Sequence, residues 1–396
     1  MAKLYPFRAL RPRPEDAAHI AAVPYDVVNT DEARAAAGGN PHSFLRVSRA
    51  EIELPDGINP YDAAVYDRAV DNFRKLRQSA MVVEDEPSVY FYRLKMGSHT
   101  QTGLAACFSI DEYDRNVIKK HERTRPDKED DRTRHLMALA AQTGPVFLTY
   151  RASADVNAIA ARATNANPLF DFTAVDGVQH TLWRIGGADR DALVSAFAKI
   201  PALYIADGHH RAASAARARK AGQDGGFLAV AFPDDQVQIL PYHRIVKDLG
   251  GLAPAEFSSA VAQRFDVQPG PATPSRRGEI AMYFQRQWST LRPRIKPDVN
   301  DPIGTLDVSV LQDQLLAPVL KIADVRTDKR IDFVGGARGT SALEKLVDSG
   351  KAAVAFSLYP VSLADLMAVS DAGGIMPPKS TWFEPKLRDG LLVNLI

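Results

Sequence analysis

The stretch that most constrains this chain is Ala202-Leu203-Tyr204-Ile205-Ala206-Asp207-Gly208-His209-His210-Arg211. A short apolar run without charge meets an acid, a glycine, paired imidazoles and an arginine, and an Ala/Arg-rich run follows. The pattern predicts a strand, a turn over Asp207–His210 and a helix from Arg211 to Lys220, ended by Gly222–Gly226. The first N–H groups of such a helix have no intrahelical partner and favour an anion. Gly208 lets a phosphate approach the backbone closely. Arg211 can fork phosphate oxygens, and a histidine at pH 7 can donate or transfer a proton. The alternative is a capped helix whose histidines satisfy buried backbone groups. Adjacent histidines could also bind a metal, but consecutive side chains diverge and the spacing places no third ligand.

Around this stretch the pattern alternates between helix and strand. The first part, through about Asn59, mixes Pro, Gly and Arg with short apolar runs, and is expected to be irregular around a few short strands. Val65, Ala69, Phe73 and Leu76 recur at helical spacing within Tyr61–Gln78. Ser88–Leu94 alternates as a strand, Gly97-Ser98-His99 reads as a hairpin turn, and Thr102–Ile110 as the return strand. Pro126 with acids behind it starts a helix over about Asp127–Ala141. Ala152–Ala166 and Asp191–Lys199 read as helices, and Thr181–Ile185, Phe227–Phe232 and Gln236–Leu240 as strands. Gly250-Gly251 marks a change of module, giving an expected catalytic region 1–249 and a mixed α/β region 250–396. The fold class is therefore α/β, mixed α+β in detail.

A second charged stretch, Lys119-Lys120-His121-Glu122-Arg123-Thr124, is followed by Lys128, Asp131 and Arg132. It sets a candidate base, Glu122, among cations that stabilise a carboxylate and attract phosphate. A solvated charged loop before a helix is the other reading. Val23-Pro24-Tyr25-Asp26-Val27 is a stiff loop with an acid and an aromatic, read first as a structural turn. Leu240-Pro241-Tyr242-His243-Arg244 offers a second anion contact or a core-edge histidine. Pro378-Lys379-Ser380-Thr381 could close on a phosphate or cap the final element.

Several classes are excluded. With Lys plus Arg at 49 and Asp plus Glu at 48, the net charge is +1, which gives no support for bulk nucleic-acid or membrane binding. One cysteine, Cys107, excludes a disulfide framework and a multi-thiolate metal site, and its apolar neighbours suggest a buried thiol. No apolar run approaches a membrane span and the N-terminus lacks a secretory signal, so a cytoplasmic location is expected. There is no P-loop, no Gly-x-Ser-x-Gly, no Rossmann fingerprint and no His-Glu-x-x-His pair.

These strings together resemble a bacterial and archaeal family known as domain of unknown function 1015. The resemblance rests on Pro24-Tyr25-Asp26-Val27, Asn40-Pro41 with Ser43-Phe44-Leu45-Arg46, and His121-Glu122-Arg123-Thr124 with Asp131-Arg132. It continues through His180-Thr181-Leu182-Trp183, Ile205–Arg211 and Met376-Pro377-Pro378-Lys379-Ser380-Thr381. Val23 stands where the family often has a second proline. The family is often described as related to the ParB/Spo0J partitioning proteins. Its Gly-His-His-Arg string is similar to the phosphate-binding turn of the ParB and sulfiredoxin group, which includes free serine kinases. Sulfiredoxin chemistry needs a cysteine in that turn, where this chain has histidine.

The resemblance implies a ParB/sulfiredoxin-like core and phosphoryl transfer to or from a small hydroxylated metabolite, with serine or phosphoserine first. Glu122, His209 and His210 are the expected catalytic residues. Asp207, Gly208, Arg211, His121, Arg123, Thr124, Lys128, Arg132, Tyr25, Asp26, Ser43, Lys379, Ser380 and Thr381 are the expected substrate and phosphate contacts. ADP or ATP, with Mg²⁺ near Asp207 or Asp131, would be the cofactors, and a small phosphate-containing molecule the partner, with nucleic acid not expected. A nucleotide-independent phosphatase and a ParB-like nucleotide-binding or DNA-associated regulator are the rivals.

Overall fold

The computed structural model describes residues 1–219 and 225–396. The chain divides into two compact units. One is Met1–Val237 together with Pro385–Ile396, and the other is Gln238–Glu384. Both are mixed α/β. Most of the helix end expected at Gly222–Gly226 lies outside the described residues.

The first unit is built on a mixed sheet. Its path runs Ile118–Lys119, Leu203–Asp207, Val146–Tyr150, Gly226–Pro233, His99–Ser109, Val89–Met96, Gln179–Ile185 and Phe170–Thr173, with Leu4–Tyr5 also pairing His99–Ser109. Val146–Tyr150 is parallel to Gly226–Pro233 but antiparallel to Leu203–Asp207. The inner strands are buried along nearly their whole length, which is why they read as continuous apolar runs. Their core contains Phe108, Leu148, Tyr150, Phe197, Ile205 and Phe227. Cys107 is buried in this sheet, and burial pushes its thiol pKa up, so it is the inert thiol the sequence suggested.

A second cluster packs helix Ala63–Ala80 through Val65, Ala69, Phe73 and Leu76 against Phe44, Leu45 and Val47. Here the structure corrects the sequence reading, because the first 59 residues hold helix Thr30–Ala37 and short helical turns at Leu45–Ser48 and Ala50–Glu53. Asn29 and Glu32 form a reciprocal capping box at the start of Thr30–Ala37. That signal was present, but Gly38-Gly39-Asn40-Pro41 just beyond it gave the region a loop-like composition. Other boundaries also move. Asp234–Gln236 is a 3₁₀ turn before the short strand Gln238–Leu240, and Tyr242–Val246 is itself a strand. The helix after Gly208 begins at His209 and not Arg211.

The last segment returns to the first unit after the whole second unit has been made. Val393 bridges Leu10, Asp389 bridges Ala22, and Asn394–Leu395 pairs with Ala141–Gln142. Arg388 ties this segment down. It pairs with Asp176, and its Nε donates to His180 Nε2 at 3.2 Å, while Tyr92 Oη lies 2.7 Å from His180 Nδ1. Gly390 has φ +85, and a Cβ there would sit 2.5 Å from the buried Phe44 ring, so the segment passes where only glycine fits.

The second unit has an antiparallel six-stranded sheet in the order Phe265–Pro269, Gln287–Pro293, Ile280–Phe284, Val354–Leu358, Tyr242–Val246 and Ile331–Gly335. Helix Thr340–Asp348 covers part of it through Leu343. A short pair, Gln238–Leu240 with Trp382–Glu384, brings the two ends of this unit together.

Burial keeps several imidazoles neutral. It lowers the pKa of His135 and of His243 to about 4, and that of His180 to about 3. Between about pH 6.5 and 4 the unfolded chain binds protons that these folded rings refuse, so stability falls as pH drops through that window. Asp389 acts oppositely: burial pushes its pKa up to about 7, so the proton it holds when folded is lost as pH rises through that value. Its single proton opposes several histidines. The expected outcome is a melting temperature that falls on acidification from pH 6.5 to 4, each ring held near 4 contributing up to about 3 kcal/mol. Melting curves at pH 6.5, 5.5 and 4.5 check this, and a flat profile would mean the buried rings are charged.

Candidate active site

The strand Leu203–Asp207 shifts register against Val146–Tyr150 between Ile205 and Asp207, and this irregularity turns the chain out of the sheet. Gly208 follows in a left-handed conformation, φ 92 and ψ 30, and is the N-cap of helix His209–Ala218. The arrangement is strand, glycine turn, helix. The N–H groups of the helix's first turn point out of its N-terminus, and Gly208 carries no side chain to cover them.

Arg211 does not reach outward from this turn. Its guanidinium is folded back beneath Gly208, where a Cβ would lie 3.0 Å from Arg211 Nε. One terminal nitrogen donates to the Pro145 carbonyl and the other lies 3.6 Å from Asp207 Oδ2. Nε is buried and has no partner. Asp207 also meets Lys386 Nζ at 3.4 Å. Burial alone would raise the Asp207 pKa, but Lys386 and Arg211 outweigh it and hold the carboxyl well below the usual range.

The two charged stretches of the sequence meet here. Strand Ile118–Lys119 is parallel to Leu203–Asp207, so the residues just after it, His121 and Glu122, emerge beside the turn. His209 Nδ1 lies 3.9 Å from Glu122 Oε2. His209 Nε2 accepts from the His121 backbone N–H at 3.4 Å, a long bond that places the ring proton of neutral His209 on Nδ1, facing Glu122. The rings of His121 and His209 meet edge to face with centres 4.5 Å apart. His210 Nε2 accepts from the Arg125 N–H at 3.0 Å, fixing the loop that carries Glu122 to the helix start. Burial lowers the pKa of all three histidines: His121 to about 4, His209 well below its ordinary value, His210 by a smaller extent. They are neutral at pH 7. Glu122 is exposed, whereas His121 and His209 are buried.

The other expected residues take varied positions. Arg123 is exposed next to Glu122, and Thr124 donates to Glu129 Oε2 at 2.8 Å. Lys128 lies over the Tyr61 ring. Arg132 stacks on the buried Tyr25 ring at 4.0 Å and pairs with Asp131 at 2.7 Å. Asp26 is exposed, and its charge acts on both His210 and Arg211, which places the Tyr25–Asp26 turn beside the helix start. Ser43 is buried in the turn before Leu45–Ser48, bonded through its backbone to Asn40. In the second unit, Lys379 has φ 57 and its carbonyl accepts from Arg244 at 2.9 Å, while the Ser380 hydroxyl donates to Pro377 O at 2.6 Å. Lys379, Ser380 and Thr381 thus form a turn pinned by Arg244.

Neither carboxylate expected to hold Mg²⁺ stands clear of cations. Asp131 accepts from Tyr66 Oη at 2.8 Å and from Arg132 Nε at 2.8 Å, and Asp207 Oδ2 is shared by Lys386 and Arg211. These residues do not fit a hard dication that needs uncommitted oxygens.

Two residues of the site were missed. Lys386 and Asp389 come from the returning segment, and the dense charge of Lys386-Leu387-Arg388-Asp389 against apolar Leu391-Leu392-Val393 was the available signal. Asp389 lines a small cavity of about 50 Å³ beneath the turn with Tyr25, Arg132, His135, Gln142 and Arg211. Its Oδ1 is buried without a partner.

Among solved structures the chain is similar to a free serine kinase in complex with AMP, at 14% identity and a TM-score of 0.38, covering 72% of this chain and 90% of that one. It is also similar to a conserved hypothetical protein from Pyrococcus furiosus, at 14% identity and a TM-score of 0.36, covering 72% and 94%. A C-terminally truncated SbnI from Staphylococcus aureus has 14% identity and a TM-score of 0.39, covering 74% and 87%. No curated protein sequence matches. Among the described residues no helix is long and apolar enough to cross a membrane. The model of the family described as protein of unknown function, DUF1015, matches residues 4–309, and the chain belongs to that family.

Proposed function

We propose that this protein transfers a phosphoryl group between a nucleotide, ADP or ATP, and the hydroxyl of a small metabolite. The observation that carries the reading is the placement of an exposed carboxylate, Glu122, beside the helix N-terminus, with His209 Nδ1 3.9 Å from Glu122 Oε2. One part of this arrangement suits an anion and the other accepts a proton, as in-line phosphoryl transfer requires. Serine is the first acceptor to test, since the likeness of the Gly-His-His-Arg string to that of free serine kinases points to it.

In this reading the amides of Gly208, His209 and His210 hold the phosphates. Arg211, beneath the turn, supplies positive charge and keeps the amides aimed. Glu122 takes the proton from the acceptor hydroxyl as its oxygen bonds to the terminal phosphorus and the bond to the leaving phosphate oxygen breaks. His209 turns its Nδ1 proton toward Glu122, 3.9 Å away. Arg123 and Lys128 would neutralise the equatorial oxygens. With water in place of the hydroxyl the same groups would hydrolyse a phosphate ester, and product formation from phosphoserine with and without ADP separates the two directions.

Two substitutions test these roles. Glu122→Gln keeps shape and removes the base, so turnover should fall by about 10²–10⁴-fold with nucleotide affinity nearly unchanged. Full activity in this variant would remove Glu122 from the chemistry. Arg211→Ala removes the support beneath the turn and leaves Asp207 with Lys386 alone, so it should lower the melting temperature and, through the disturbed turn, weaken nucleotide binding. Arg211→Lys should not restore affinity, because one ammonium cannot span both Pro145 O and Asp207. Calorimetric titration with ADP and melting curves on the same samples measure both effects, and a loss of stability alone would leave Arg211 a purely structural support.

A further inference from the structure

We infer that His121, Glu122 and His209 form a binding site for a divalent transition-metal ion of the zinc or cobalt class. One ligand-type atom from each residue falls within a sphere where all lie within 4.8 Å of one another. The independent observation is His121 Nδ1. His121 is 2% exposed, and its Nδ1 is buried with no partner. In the tautomer that binds a metal, Nδ1 is a lone pair in the interior. A buried lone pair without a donor is unfavourable unless something fills it.

The chemistry of the cluster selects the ion. Two imidazoles on one tetrahedral ion, at Zn–N distances of about 2.0–2.1 Å, put their ring centres roughly 5 Å apart. His121 and His209 are 4.5 Å apart. The competing contact at His209 Nε2, from the His121 amide, is a long one at 3.4 Å and is easily given up. Drawing the ligands onto one ion needs a closure of up to about 1.5 Å. A set of nitrogens and one carboxylate suits zinc or cobalt, not magnesium, which prefers oxygen. With three protein ligands one position of the ion is left for water or a substrate atom.

The inference does not rest on phosphoryl transfer, because its readout is the ion alone. The full chain is stripped with a chelator and titrated with Co²⁺, read by visible absorption, and with Zn²⁺, read by calorimetry. The expected result is one ion per chain, with affinity reduced at least about tenfold in both Glu122→Gln and His121→Gln. Millimolar Mg²⁺ should not displace the ion. Should His121→Gln melt far below the wild type, Glu122→Gln, altered at an exposed side chain, decides by itself. Absence of saturable uptake, equal uptake by wild type and Glu122→Gln, or displacement by Mg²⁺ would each overturn the site.

Discussion

The charge on Asp207 is the constraint around which the first unit is arranged. A half-buried carboxylate loses part of its water, and the cations that meet it offset that cost. Here Arg211 arrives from the next helix turn and Lys386 from the far end of the chain. The ion cluster therefore ties together the strand end, the helix start and the C-terminal segment. Gly208 completes the device, since only a residue without a Cβ allows both the left-handed turn and the guanidinium lying directly beneath it.

Neutral histidines surround this charged point. His121, His209 and His210 are each denied a proton by burial, and the nearby cations Arg211 and Arg125 act in the same direction on His209 and His210. A neutral imidazole with a fixed tautomer donates from one nitrogen and accepts at the other. That property orders the loop that follows Ile118–Lys119: the backbone N–H groups of His121 and Arg125 both end on helix histidines. The loop bearing Glu122 is thereby fastened to the helix bearing His209 by bonds that carry no charge. The carboxylate is left exposed at the edge of a rigid, mostly buried frame, a fitting position for a group that must meet a ligand.

The paired histidines show how a local pattern can be read correctly and still be incomplete. Consecutive side chains do diverge: His209 turns inward to His121, and His210 turns to Arg125. The neighbours of His209 that spacing could not supply, His121 and Glu122, come from a stretch 88 residues earlier, brought in by parallel pairing of Ile118–Lys119 with Leu203–Asp207. Arg211 is the reverse case. Its proximity to the turn was plain in the sequence, but its direction was not, because a helix side chain leans toward the N-terminus and here finds Pro145 O and Asp207 before it finds solvent.

What the sequence determined by itself was local. The strand over Leu203–Asp207, the glycine turn, the helices at Ala63–Ala80 and Pro126–Leu139 and the hairpin of Val89–Met96 with His99–Ser109 all follow from periodicity, caps and turn residues acting within a few positions. Thr30–Ala37 was written there too, in the Asn29 and Glu32 capping box, but glycine-rich neighbours masked it. Only the tertiary structure decided that Glu122 stands beside His209, that His121 Nδ1 is sealed in without a partner, and that Lys386 and Asp389 return to the turn. The physical reason is one of range. Periodicity and capping are short-range preferences carried by neighbouring residues, whereas these encounters depend on the register of distant strands and on where a terminal segment can pass, and neither leaves a repeating mark along the chain.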